Sequence, residues 1–232
     1  MASFGTRMKM LFVADLHYGL KQFDWLIANA SAFDVVGIGG DLLDLGSSLD
    51  LDTQIVVVEK YLNRIFQCTE LLVSPGNHDG DAHNASQESV CRWLPEMQTK
   101  SLHVDGDGVE IGDILVTICP WWDGDVTRAE VEQLIERDAS RQKQIWVWIH
   151  HSPPDGSPVS WTGRASAGDQ NLTQWIARFH PDLVLGRCSG RCMSASSTSS
   201  TMPKWSWPSY CRFTSIRYLF SASSRRASNS AT

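Results

Sequence analysis

Gly76-Asn77-His78-Asp79 sets a carboxamide, an imidazole and a carboxylate side by side. Asn and His are competent metal ligands, and a His or Asp beside them can handle a proton. The apolar run Leu71-Leu72-Val73 leads into this stretch, and Pro75 and Gly76 end the run. The polar triplet therefore belongs on a sharp turn at the carboxyl end of a strand, where open α/β sheets place their chemistry. Three other stretches share the layout: Met8 to Ala14 runs into Asp15-Leu16-His17, Val35 to Gly40 into Asp41-Leu42-Leu43-Asp44, and Ile145 to Ile149 into His150-His151-Ser152-Pro153-Pro154.

Each stretch makes a chemical case and has a plainer alternative. Asp15 and His17 are two apart, so an extended strand end would aim both the same way and turn Leu16 into the core; taken alone, the pair also suits a turn Asp and a surface His. Asp41 follows two glycines, which permit close backbone approach. A helix N-cap is the other role open to these carboxylates, and it suits Asp44 better. Asn77 could equally be a left-handed turn residue. His150 and His151 face opposite ways on a strand, so only one of them reaches a common centre. His83, His103 and His180 lack such surroundings and read as surface or half-buried histidines. Trp121-Trp122-Asp123 is either a wall of the site or a packed aromatic corner. Arg164, in Ser160-Trp161-Thr162-Gly163-Arg164, is a candidate for facing phosphate.

Taken in order, Asp-x-His, Gly-Asp-x-x-Asp, Gly-Asn-His-Asp and a strand ending in His before Pro-Pro resemble the calcineurin-like metallophosphoesterases over about residues 8 to 185. One such motif would be weak; four in the family's order, each at a strand end, are specific. The resemblance implies a four-layer α/β/β/α sandwich of two mixed sheets. It implies a dinuclear centre of two divalent ions, Mn or Fe suiting the mixed ligand set and Zn also fitting. Asp15, His17 and Asp41 would hold one ion, and Asp41, Asn77 and His151 the other, with Asp41 as the shared bridge. His151 is chosen over His150 because the family's ligand stands two residues before the first Pro. His78 would stay off the metal and assist the leaving oxygen, with Asp79 holding its ring. The implied reaction is attack of metal-activated hydroxide on a phosphomonoester or phosphodiester. At Gly186 the family pattern expects Gly-His-x-His, whereas this chain has Gly186-Arg187-Cys188-Ser189-Gly190 and no later His. The loss takes one ligand from each ion. It implies weak metal binding and low hydrolysis, and it opens the alternative of a catalytically impaired relative acting as a binding or regulatory module.

Composition narrows the field. The chain has 232 residues with a formal net charge of −6. All 26 acidic residues lie at or before Asp182, and 7 of the 20 Lys and Arg follow Leu185. The body is therefore strongly acidic, which argues against a broad nucleic-acid surface; bound metal would neutralise part of that charge, and the resemblance implies a small phosphorylated substrate. No apolar run matches a membrane span, and Asp15 cuts short the only N-terminal run that could resemble a secretory signal. Six scattered Cys form no zinc-type pair of pairs, so a reducing, cytoplasmic setting is expected.

Periodicity predicts strands over 8–14, 34–39, 70–74 and 145–149, and one starting near Pro181. It predicts helices over 20–30, 51–66, about 127–141 and 172–179. Strand–helix–strand–helix–strand means a parallel sheet with crossover helices. Residues 102–108 and 109–118 read as further strands turning at Asp105-Gly106-Asp107-Gly108. Two parts follow: a metallophosphoesterase-like domain over 1–185, C-terminally incomplete, and a basic tail over 186–232 with 14 Ser and no acid. That composition fits either disorder or a shifted reading frame, with a trace of pattern only at Ile216 to Phe220.

Overall fold

In a computed structural model the structure describes residues 8–99 and 101–188, together with the backbone of 218–222. Two sheets carry the chain. The first is built from β1 (Met8–Val13), β2 (Val35–Gly39), β3 (Glu70–Ser74), β6 (Leu102–His103) and β11 (Tyr218–Ala222), in the order β11-β1-β2-β3-β6. Its strands run parallel except β11, which lies antiparallel on β1. The second is built from β7 (Gly108–Ile111), β8 (Ile114–Ile118), β9 (Ile145–Ile149) and β10 (Leu183–Leu185), in the order β10-β9-β8-β7. Here only the β7–β8 hairpin is antiparallel. The mixed α/β class expected from the sequence is the class observed. A small hairpin, β4 (Ala82–His83) with β5 (Ser89–Val90), stands apart.

Alternation along each strand explains how the layers form. On β1, Leu11 and Val13 pack with Phe23 and Leu26 of α1 (Leu20–Asn29) and with Val58 and Leu62 of α2 (Leu51–Phe66). The single turn α3 (Trp93–Glu96) adds Trp93 and Leu94 to the same layer. Met8, Met10 and Phe12 face the other way, onto Val116, Ile118, Val147 and Ile149 of the second sheet. The far face of that sheet buries Leu115, Trp146 and Trp148 against Val131 and Ile135 of α4 (Asp125–Ala139) and Leu172 and Trp175 of α5 (Gln170–Phe179). Each fully buried side chain of this size contributes about 1.5–3 kcal/mol. Two of the helices begin where a carboxylate caps them: Asp50 accepts from Thr53 N at 2.7 Å, and Asp169 from Leu172 N at 2.8 Å. Asp44, expected to suit a cap, instead takes the N–H of Gly46 in its own loop.

The middle of the chain differs from its sequence reading. Asp105-Gly106-Asp107-Gly108 is not a hairpin turn. The preceding strand, β6, pairs with β3 in the first sheet, so this segment crosses from one sheet to the other. The hairpin turn lies at Gly112-Asp113, with Gly112 at φ 61°. A dipeptide of glycine and aspartate is turn chemistry in both places, and only strand pairing separates them. The helix read over 172–179 starts at Gln170, and that read over 127–141 is shifted to 125–139. The expectation of a disordered tail falls outside the described residues over 189–217 and 223–232, while Tyr218–Ala222 forms the edge strand β11. Among the described residues no helix is long and apolar enough to cross a membrane. His180 ends α5 in a left-handed conformation at φ 54°, and His103 pairs with Glu70. His180 is exposed and His103 half-buried, the placement expected of histidines without site context.

Asp105 sits in the crossing segment with Oδ1 enclosed and unpartnered. Burial first, then Asp107 and Asp79, push its carboxyl up to about 7. The folded chain therefore keeps a proton that the unfolded chain releases near pH 4. This contribution to stability is full below that pH and is lost as pH rises towards 7. Asp105→Asn is expected to flatten the fall in urea midpoint between pH 4 and 8; a variant with the wild-type pH profile would contradict it.

Candidate metal centre

The site forms where β1, β2, β3 and β9 end together. Beyond β1 the chain does not stay extended, as the Asp-x-His spacing suggested. Asp15, His17 and Tyr18 have φ of 56°, 42° and 53°, and Asp41 has φ 54°. Such left-handed residues cost of order 1–3 kcal/mol each and persist where surrounding contacts fix them. The contacts here are three backbone bonds that lace the two loops: Asp15 N to Gly40 O at 3.1 Å, His17 N to Asp41 O at 2.8 Å, and Tyr18 N to Leu42 O at 2.8 Å. Asp15 and His17 therefore reach the same carboxylate, Asp41, by a left-handed turn rather than by strand alternation.

Gly40 and Gly76 make the close approach possible. A Cβ on Gly40 would stand 2.5 Å from Gly76 N, and Gly40 itself has φ 86°. A Cβ on Gly76 would stand 2.2 Å from Asp41 Oδ1.

Asp41 is the hub, 1% exposed. Its Oδ1 accepts the backbone N–H of His78 at 3.0 Å. Its Oδ2 faces His151 Nε2 at 3.2 Å and His17 Nε2 at 3.7 Å. Burial pushes the Asp41 carboxyl up, but the closeness of His151 and the His78 N–H together outweigh it, and the net direction is down. Two groups with ligand atoms within 4.8 Å of one another share this residue: Asp15, Asp41 and His151, and His17, Asp41 and His78. The first is the more enclosed. His151 donates Nδ1–H to Gly39 O at 2.7 Å, which fixes the tautomer and leaves the Nε2 lone pair aimed at the carboxylates. Both His151 Nε2 and Asp15 Oδ1, 4.0 Å apart, are buried without a hydrogen-bond partner. Acceptors converging in this way repel one another unless a cation or proton lies between them, so the residues present fit a divalent metal. Burial raises the Asp15 carboxyl, opposed by His151 and Arg187.

The remaining expected residues are placed as follows. Asn77 is exposed at the tip of its turn. His78 is half-buried, with its ring 4.7 Å from that of His17, and it belongs to the second ligand group although it was expected to stay off the metal. Asp79 does not hold the His78 ring. It is fully buried, and Oδ1 accepts from Leu42 N at 2.8 Å and Leu43 N at 2.9 Å, while Oδ2 accepts from Gly76 N at 2.7 Å. Burial pushes its carboxyl up to about 6 against the pull of these N–H groups. It ties the Asp41 loop to the Asn77 loop. Arg164 is exposed and makes no hydrogen bond or ion pair among the described residues.

Strand alternation separates the two adjacent histidines. His150 follows Trp146 and Trp148 to the outer face, where its ring stacks on Trp122 at 4.1 Å and burial drives its pKa down to about 3. His151 follows Val147 and Ile149 inward to Asp41. Arg187 extends the line of β10, its N–H bonded to His151 O at 2.8 Å and its Nε enclosed without a partner. It stands beside the centre where the family pattern expects histidine.

The chain belongs to the calcineurin-like phosphoesterases, whose family model matches residues 8–186. Solved structures share the fold. One superposes with a TM-score of 0.57 at 15% identity, covering 78% of this chain and 84% of its own. TT1561 of Thermus thermophilus superposes with a TM-score of 0.54 at 15% identity, covering 78% and 81%. No curated protein matches this chain.

Proposed function

We propose that this chain is a metal-dependent hydrolase of a small phosphomonoester or phosphodiester. Asp15, His17, Asp41, Asn77 and His151 would hold two divalent ions. The observation that carries the reading is the convergence of the unpartnered Asp15 Oδ1 and His151 Nε2 on Asp41. Divalent ions would supply Lewis acidity here, lowering the pKa of water and offsetting phosphoryl charge. The protein's own part is orientation. Gly39 O sets the His151 tautomer, and the Asp41 carboxylate holds the His78 backbone. The half-buried His78 ring would then give a proton to the departing oxygen. Arg187 in the place of a family histidine supports weak metal binding, and with it a reading as an impaired relative.

The direct test is hydrolysis of aryl phosphate mono- and diesters by metal-depleted chain supplied with Mn²⁺, Fe²⁺ or Zn²⁺, alongside thermal melts. Metal-dependent turnover, lost on chelation, is expected. A chain whose melting temperature and turnover ignore all three ions would overturn the reading. His78→Ala is expected to keep its metal and slow turnover by about 10²–10⁴, least with good leaving groups. Loss of metal in that variant would make His78 a ligand, as its grouping with His17 and Asp41 allows.

A further inference from the structure

Trp121 is half-buried at the rim of the centre and belongs to neither ligand group. Its ring stands edge-on to His151, centroids 5.8 Å apart at 72°, and parallel to His150 at 6.2 Å. The loop that carries it is pinned on several sides. Ser74 Oγ donates to Cys119 O at 2.7 Å, and Cys119 N donates to Ile149 O at 2.9 Å. Trp122, 8% exposed, is wedged between His150 at 4.1 Å and Trp175 at 5.1 Å. Beyond it, Asp123 accepts from Ser89 N at 2.9 Å. The buried Trp122 answers the aromatic-corner alternative for this loop, and its neighbour Trp121 answers the wall. A large flat surface held rigid beside a reaction centre costs little ordering when a ligand meets it.

Resting on the phosphoester-hydrolase reading, we propose that Trp121 is a specificity-determining platform selecting esters whose leaving group is an aromatic ring. His151 faces Asp41 Oδ2 at 3.2 Å, so a phosphoryl group held over these residues brings its ester substituent within about one ring width of the indole. A phenyl group spans that gap and meets the ring in stacked or edge geometry; a methyl group does not reach it. Aromatic pairs gain enough beyond area burial to give about a 3- to 10-fold preference.

Stable phosphonates test this without leaving-group chemistry. Phenylphosphonate and methylphosphonate are titrated calorimetrically into the full chain with saturating Mn²⁺. The wild type should bind phenylphosphonate about 3- to 10-fold more tightly, Trp121→Ala should abolish that preference while holding methylphosphonate within about twofold, and Trp121→Phe should retain most of it. Equal binding of the two phosphonates by the wild type, or a Trp121→Ala variant that keeps the preference or weakens both ligands alike, would overturn the platform alone. If the wild type binds neither phosphonate, the hydrolase reading falls and the platform with it.

Discussion

Asp41→Asn is expected to empty both ligand groups at once. The two groups are Asp15, Asp41 and His151, and His17, Asp41 and His78, and only Asp41 appears in both. The substitution is isosteric. The amide oxygen can still accept the His78 N–H, and the NH₂ can donate to the His151 lone pair 3.2 Å away. The variant should therefore fold while losing the negative charge that faces both cation positions. Metal affinity should fall by more than about 10²-fold, since even residues behind a ligand are worth 10–100-fold. Turnover should fall by about 10³, the worth of one well-placed electrostatic group. Asp15→Asn and His17→Ala are the controls: each should weaken one group and spare the other. Titration with Mn²⁺ followed by elemental analysis separates these outcomes. An Asp41→Asn chain retaining metal as tightly as the wild type would exclude the shared role.

The wild-type baseline for that titration is itself expected to be low. Water can fill the coordination places that Gly-His-x-His would supply, but it donates less and fixes no geometry. Arg187 adds a fixed positive charge beside Asp15, which it acts to keep ionised. A guanidinium so placed competes with a cation for the same carboxylate field. The comparison between variants is accordingly best made at millimolar Mn²⁺, where occupancy of the wild type is measurable.

Much of this centre was legible because strand alternation is local. The period-2 pattern Trp146, Trp148, His150 against Val147, Ile149, His151 assigns the two histidines to opposite faces before any folding is known. Likewise the run from Val35 to Gly39 announces where Asp41 must emerge. What was not legible depends on contacts between distant residues. Asp15 and His17 look like an extended pair, yet their left-handed turn is held by the carbonyls of Gly40 and Asp41. Asp79 looks like a partner for its neighbour His78, yet its carboxylate accepts from Leu42, Leu43 and Gly76. The Asp105-Gly106 turn signal is real, but whether it closes a hairpin or crosses between sheets is decided by β6 pairing with β3. The β4–β5 hairpin gave no periodic signal, having two residues per strand.

The place of Asp79 in the fold means more than loss of a proton-relay partner. Asp79→Ala is expected to damage the fold itself. Its carboxylate is the acceptor for three backbone N–H groups, those of Leu42, Leu43 and Gly76. Leu42 and Leu43 are fully buried, so water cannot replace it without opening the core. An orphaned buried donor costs about 1–3 kcal/mol, so three of them cost roughly 3–9 kcal/mol against a total stability of about 5–15 kcal/mol. At about 2–4 °C per kcal/mol for a chain of this size, the melting temperature should drop by roughly 6 °C or more. Asp79→Asn should fall between: one oxygen still serves Leu42 and Leu43, while the NH₂ is turned against the Gly76 N–H. The damage should spread to the centre, because Gly76 and Leu42 belong to the two loops that carry Asn77 and Asp41. Metal affinity should decline with stability, whereas a partner of the His78 ring would lose turnover at unchanged melting temperature. An Asp79→Ala chain melting within about 2 °C of the wild type, and slowed only in catalysis, would return Asp79 to the proton relay.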